Sequence, residues 1–459
     1  MQGSHRFRFG SGTVLFLVVS VLLPAADAVI AQETKEPPTP DSTEAPLAAR
    51  IDSTRATSVQ ANVKITGHLM TPSAAGIRKW ELRSTGTFEF VQRQLPSELS
   101  GPLALLAVRQ YSNASTETQV GERHTTKSSL SKAQSLIHFR GSDSGFQAAP
   151  AVRQLTRREH DLLQMPCDPL PCSGLLPTRD VAVGDKWNCD DWVLPRLTGL
   201  EAITEQTLTC NLASRNDNQA TVQFEGTATG AVSGSAGSAT LQGTLVLDVV
   251  SQLVTSLQCN IKEKRSAGPV SPGLDVTLTL EWTQSVADST DLPVEIDDSL
   301  FAKPFRLPTP WRIEFSHGAD WHVFNQTDSV MMLRQIRNGA LISQCNISKG
   351  VVVPPGQHTS DADFLADINA DIPAGGGSVV AQETIRDDNR WRVRHVQARG
   401  SVSDVEIIRD CYLCSAASGE QFSLMFSHST ADDTAFGDEA DSWLNSLSLT
   451  RRRPALPFR

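Results

Sequence analysis

Five stretches between residues 203 and 282 alternate apolar and polar side chains, and this alternation limits what the chain can become more than any other feature. Strands are expected over 203–212, 219–226, 238–248, 253–262 and 275–282. Leu208, Cys210 and Leu212 share one face of the first, and Val222 and Phe224 one face of the second. Leu257, Cys259 and Ile261 do so in the fourth, and Val276, Leu278, Leu280 and Trp282 in the fifth. Successive side chains of an extended chain point to opposite sides, so the pattern makes one dry face and one wet face. The connectors carry turn chemistry: Asn216-Asp217-Asn218, the glycine-rich run 230–237, and 266–273 with its two prolines. An up-and-down antiparallel sheet with one buried face follows. That is a scaffold, and by itself it names no activity.

At 459 residues the chain is long enough for two domains plus appendages. An apolar fraction of 39% and a charged fraction of 20% suit a globular protein. A net charge of −10 argues against nucleic-acid binding, which needs clustered Lys and Arg against phosphate.

The N-terminus reads as a secretory signal over 1–31. His5, Arg6 and Arg8 make a basic start, an apolar run follows over 13–23, and small residues Ala25, Ala26, Ala28 and Ala31 offer cleavage points. A leader rich in Pro, Glu, Thr and Ser extends over 32–50. No later run approaches the roughly 18 apolar residues of a spanning helix. A secreted or periplasmic protein is expected, with no stable membrane insertion after signal cleavage.

Eight cysteines in an exported chain point to disulfides. Cys167 and Cys172 lie in one proline-rich loop, where a small ring would close. Cys210 and Cys259 take inward positions on strands of one sheet, either bridged or as two buried thiols. Cys345, Cys411 and Cys414 fall in the later part, and Cys189 has no obvious partner. Cys411 and Cys414 have CxxC spacing without a second such pair, so structural cysteines are expected there in place of a redox or zinc site.

Residues 51–287 read as one antiparallel β-rich domain, a curved sheet or partial barrel, with a short helix near 156–163. An acidic linker over 288–303 follows, then an α+β domain over 304–449 and a tail over 450–459. In the later domain Trp311 and Trp321 flank a hairpin, and Ser360 caps a helix that carries Phe364, Leu365, Ile368 and Ile372 on one face. The glycines 375–377 stop that helix. A closing helix places Phe436, Ala440, Trp443, Leu444 and Leu447 at helical spacing.

This order of elements, with Trp311, Trp321, the 339–345 strand, the Phe364 helix, the Tyr412 strand and the Trp443 helix, resembles the PsbP/Mog-like superfamily over 305–449. The resemblance implies an α/β/α sandwich around an antiparallel sheet, in proteins that mostly bind partners. No residue by which such a protein binds nucleotide, metal or photosystem is matched, so only the fold carries over. The part over 51–286 resembles exported bacterial proteins of unknown function.

Local chemistry is sparse. His317 and His322 lie five apart in the presumed hairpin, where bonded or solvated imidazoles are expected over a metal site. Glu159-His160-Asp161 looks like an acid/base cluster, yet neighbours in sequence on a helix point apart. Gly141-Ser-Asp-Ser-Gly145 has Asp143 where a nucleophile elbow needs serine. Asn113, Asn325 and Asn346 begin glycosylation sequons. No catalytic, cofactor or metal site is expected. The chain reads as a non-enzymatic interaction or scaffold protein with an unidentified protein partner. Two alternatives stand beside this. In one, the dry face of Leu208, Val222, Leu247, Leu257 and Leu278 lines a cavity for a lipid or other apolar ligand. In the other, an enzyme site is dispersed over loops.

Overall fold

A computed structural model describes residues 47, 49, 54–73, 76–142, 145–287, 291–371, 377–402 and 405–449. The expected signal and tail lie outside the described residues, as does the leader except for Leu47 and Ala49. Strands account for 58% and helices for 14% of the described residues, so the fold is nearly all β. The expected α+β class is corrected accordingly.

Twelve strands form the main sheet: β1 (Thr57–Ser73), β2 (Gly76–Leu95), β3 (Leu106–Val120), β4 (His124–Ser129), β5 (Leu136–Ser142), β6 (Gly145–Pro150), β7 (Lys186–Asn188), β8 (Ala202–Arg215), β9 (Gln219–Val232), β10 (Ser235–Asp248), β11 (Leu253–Arg265) and β12 (Gly273–Val286). Their order is β6-β5-β3-β2-β1-β12-β11-β10-β9-β8-β7, with β4 attached to β3. The five expected strands are β8 to β12, each running on past its expected limits. The glycine-rich run 230–237 is mostly strand: Val232 pairs with Ser235, and only Ser233 and Gly234 turn, both at positive φ. That is the backbone a two-residue hairpin needs to match the twist of its strands.

Between β6 and β8, apart from the short β7, the chain leaves the sheet and fills its inner face. Two short helices, α1 (Arg157–Leu163) and α2 (Val193–Thr198), flank the cysteine loop. Thr156 caps α1 by accepting from Glu159 N, while the Glu159 carboxylate accepts from Thr156 N. Leu155, Leu163, Leu170, Leu175, Val193, Leu194 and Leu197 are buried in one cluster with Phe88, Phe139, Leu212, Val222, Leu245, Leu257 and Trp282 of the sheet. The leader's Leu47 joins the same core. Two indoles pin the insert: Trp282 donates to Cys167 O at 2.9 Å and Trp187 to Leu175 O at 3.1 Å.

The rest of the chain adds β13 (Phe305–Pro308), β14 (Ile313–His317), β15 (Trp321–Gln326), β16 (Val330–Arg337), β17 (Ala340–Lys349), β18 (Gly377–Asp387), β19 (Trp391–Val402), β20 (Val405–Ala416), β21 (Gln421–Ser429) and β22 (Ser448–Leu449), with helices α3 (Asp361–Asp371), α4 (Asp433–Phe436) and α5 (Glu439–Ser446). Two compact units result. Pro46–Cys345 with Thr434–Arg459 forms one, and Asn346–Asp433 belongs to the other. In the larger, β13, β14 and β22 make a small sheet on which Trp443 of α5 packs against Phe315 and Trp321. In the smaller, β21, β20, β19 and β18 pair in that order, and Phe364 and Ile368 of α3 pack on Val396, Cys411 and Leu413.

The PsbP/Mog-like sandwich expected over 305–449 is not supported. Strands dominate this part, and the closing helix is broken in two at Gly437, whose φ of 56° is left-handed. Ser360 does cap α3, accepting from Asp363 N at 3.1 Å. Ile372 lies outside the described residues.

Candidate functional site

The inner face of the main sheet holds one charged residue in an apolar register. Ala107, Arg109 and Tyr111 of β3 all point inward, and Arg109 is 1% exposed. Its guanidinium meets the Asp168 carboxylate of the cysteine loop with two parallel bonds of 2.7 and 2.5 Å. Nε donates to Gln92 Oε1 at 3.1 Å, and the rings of Phe90 and Phe139 lie 4.5 and 4.4 Å from the guanidinium carbon. Burial alone would lower the Arg109 pKa, but the Asp168 charge and bonds outweigh it, so the cation persists. Burial also pushes the Tyr111 phenol up to about 12. Asp168 further accepts from Leu170 N at 2.9 Å. Every strong group here already has a partner, so the clamp ties the insert to β2 and β3 and leaves nothing free for a ligand.

Around Gln92 an open cleft is lined by Arg55, Thr57, Gln92, Gln94, Ser173, Gln252 and Gln284, with Ala49, Pro169, Leu253 and Val254. Thr57 Oγ1 donates to Gln284 Oε1 at 3.5 Å, and Gln284 Nε2 donates to Val254 O. The lining carries amides, hydroxyls and one guanidinium, and no carboxylate, imidazole or thiol. Such a surface can hold a polar group by hydrogen bonds, but it has no residue suited to proton transfer near neutral pH. Sequence reasoning missed Arg109, Asp168 and these glutamines. The available signal was an arginine at an inward position of an alternating strand.

No disulfide joins any of the eight cysteines, which corrects the expected disulfides at Cys167, Cys172, Cys210, Cys259, Cys345, Cys411 and Cys414. Cys172 donates to Asp168 O at 3.1 Å and Cys167 to Leu197 O at 3.6 Å, so no ring closes between them. Cys210 on β8 and Cys259 on β11 are three strands apart, about 14 Å at the usual strand spacing, well beyond disulfide reach. The thiol beside Cys210 is Cys189, with Sγ atoms 3.0 Å apart. Cys411 and Cys414 sit on opposite faces of β20, since an offset of three in a strand reverses the side. Cys411 packs under α3, and burial pushes the Cys414 thiol up.

The tempting acid/base run disperses. Glu159 serves the cap, Asp161 accepts from Arg157 Nε at 2.7 Å, and His160 contacts Gln164 and Phe305. Ser142 and Gly145 close the β5–β6 hairpin, with Asp143 outside the described residues. His317 is 1% exposed, its Nδ1 2.8 Å from Gly318 O and its ring against Phe305 and Trp443. Burial pushes both His317 and His322 down to about 4. In the smaller unit His395 lies 2.9 Å from Asp410 and 3.3 Å from Glu383, stacked on Tyr412. Burial lowers its pKa, and the two carboxylates raise it by more. Among the described residues no group of three or more His, Cys, Asp or Glu side chains is placed to hold a metal ion.

No family model matches the chain, and no curated protein matches it. Solved structures found to be similar include a BenF-like porin from Pseudomonas fluorescens (8% identity, 82% of this chain and 98% of that one, TM-score 0.12), Acinetobacter baumannii OccAB2 (6%, 84% and 98%, 0.13) and the Pseudomonas aeruginosa outer membrane protein opdK (7%, 82% and 98%, 0.10). At such TM-scores the likeness carries no argument about this chain. With no family model matching and strands dominating 305–449, the PsbP/Mog-like resemblance is withdrawn with the sandwich it implied. The expectation of no stable membrane insertion falls too. It rested on helix hydropathy, which does not test strands, and this fold is nearly all β. No helix among the described residues is long and apolar enough to cross a membrane, which says nothing of strands.

Proposed function

We propose that this chain is a cell-envelope protein that works by binding a protein partner through the outer faces of its strands, without catalysis. The observation that supports this reading is the filled interior of the main sheet. Leu208, Val222, Leu247, Leu257 and Leu278, the residues that would line a cavity for an apolar ligand, are packed in one core with the chain's own insert. The Arg109–Asp168 clamp holds that insert in place. A sheet so filled offers its surface, and the surface is built for hydrogen bonding. Thr207, Thr227, Thr240, Lys262, Thr277, Thr66 and Arg83 stand opposite one another in a single row across seven strands, all exposed. Thr207 and Thr227 hydroxyls bond at 3.0 Å, and Thr279 donates to Asn260 at 3.0 Å.

The test is native mass spectrometry of the protein released gently from its own envelope fraction, together with a hydrolase substrate panel. The expected result is a stoichiometric complex with protein and an unreactive panel. A stoichiometric lipid or other small apolar ligand, or turnover on the panel, would overturn the reading.

A further inference from the structure

The hairpin of β1 and β2 runs beyond the sheet that supports it. The two strands pair from Thr57 and Gln92 out to Ser73 and Gly76. On one side the pairing of β1 with β12 ends at Met70, and on the other the pairing of β2 with β3 ends at Leu82. The last residues of the hairpin therefore stand clear of both neighbours. Ordinarily such a projection is polar. Here Ile77 is 72% exposed, opposite Pro72. Lys79 is exposed on the same face, and Arg78 on the other lies over the Trp80 ring at 3.7 Å. The Trp80 indole donates to Thr71 Oγ1 at 3.1 Å, which fixes its plane along the strand.

Charge is distributed as unevenly as hydropathy. The chain carries a net −10, yet no carboxylate occurs from Thr57 to Trp80, a stretch holding Lys64, Arg78 and Lys79. The first acid, Glu81, is engaged by Arg83 at 2.9 and 2.5 Å. From this we infer that the β1–β2 tip docks on an anionic lipid surface. Ile77 and Pro72 enter the headgroup region, Arg78 and Lys79 meet phosphates, and the Trp80 ring lies at the boundary. An isoleucine, flanking cations with apolar stems and an amphipathic indole are the side chains that such an interface accommodates. The acidic remainder of the chain is repelled by the same surface, so contact is confined to the tip.

The test is co-sedimentation of the full exported chain with vesicles of phosphatidylcholine alone and of equimolar phosphatidylglycerol and phosphatidylcholine. Binding is expected only to the anionic vesicles, and release is expected at high salt. The double variant Arg78→Glu/Lys79→Glu should lower partitioning about tenfold or more. Ile77→Ser, which leaves all charges in place and touches no core residue, should lower it several-fold. Lys186→Glu, exposed on β7 and six strands from β1 in the same sheet, should bind as the parent does. A parent chain that stays in the supernatant, equal binding to neutral vesicles, or unchanged binding of either tip variant would overturn the inference.

Discussion

The Asp168 carboxylate and the Arg109 guanidinium face each other in a two-bond fork at a depth where neither side chain is more than 2% exposed. Bonds of 2.7 and 2.5 Å join a loop residue to a strand residue 59 positions earlier. A buried pair of this kind gives little net stability over an apolar pair of the same shape, because both charges have lost their water. Removing one partner is a different matter, since it strands the other charge in the core. Asp168→Ala is therefore expected to cost about 3–5 kcal/mol, read as a lower urea midpoint. Arg109→Met combined with Asp168→Leu should cost less than that single change. An unaltered midpoint in Asp168→Ala would show that the insert is held by packing alone.

His317 sets a limit on acid tolerance. Its imidazole is neutral in the fold, with a pKa of about 4 against the ordinary 6.5. The unfolded chain thus binds more protons between those values, so stability is full above about pH 6.5 and falls as pH drops toward 4. The shift corresponds to about 3 kcal/mol for this group. Thermal unfolding from pH 7 to pH 4 should show a smaller loss for His317→Phe than for the parent. Parallel pH curves would refute the assignment.

His395 behaves in the opposite sense. Asp410 and Glu383 raise its pKa despite burial. Its contribution is complete below the unfolded pKa and is lost as pH rises through the folded one. In an NMR titration the His395 ring should titrate above the ordinary histidine range, and Asp410→Asn should bring it down. A ring that titrates identically in both proteins would mean that the 2.9 Å contact is not made in solution.

Gly141 is required for space. A Cβ at this position would lie 1.8 Å from Pro102 O, a backbone atom that cannot step aside, while Gly141 N donates to Leu105 O at 2.8 Å. Gly141→Ala is expected to cost about 1–3 kcal/mol. Comparison of urea midpoints decides it, and a parent-like value would mean that the 101–104 turn moves freely.

The alternation at Leu208, Cys210 and Leu212, and its repeats up to Trp282, made β8 to β12 legible as strands with a dry side. The cap at Ser360, the α1 helix and the scattering of the Glu159-His160-Asp161 run were legible for the same reason. Each depends on residues within one turn or one strand of each other. The later part of the chain misled, because helix-spaced apolar residues at Phe436, Ala440 and Trp443 say nothing of a left-handed glycine between them. It is Gly437 that breaks the run into α4 and α5.

Alternation determines which side a residue faces and leaves open which strand lies beside it. That limit separates what the amino-acid order settled from what required three dimensions. The dry face, the turns and the caps follow from local backbone geometry. The closure of β1 on β12, which brings Thr57 opposite Val286, follows only from burying the whole face at once. The approach of Cys189 to Cys210 and the joining of Arg109 to Asp168 depend on the insert folding back into the sheet. Burial in a shared core selects such pairs by distance in space, and spacing along the chain carries no record of it.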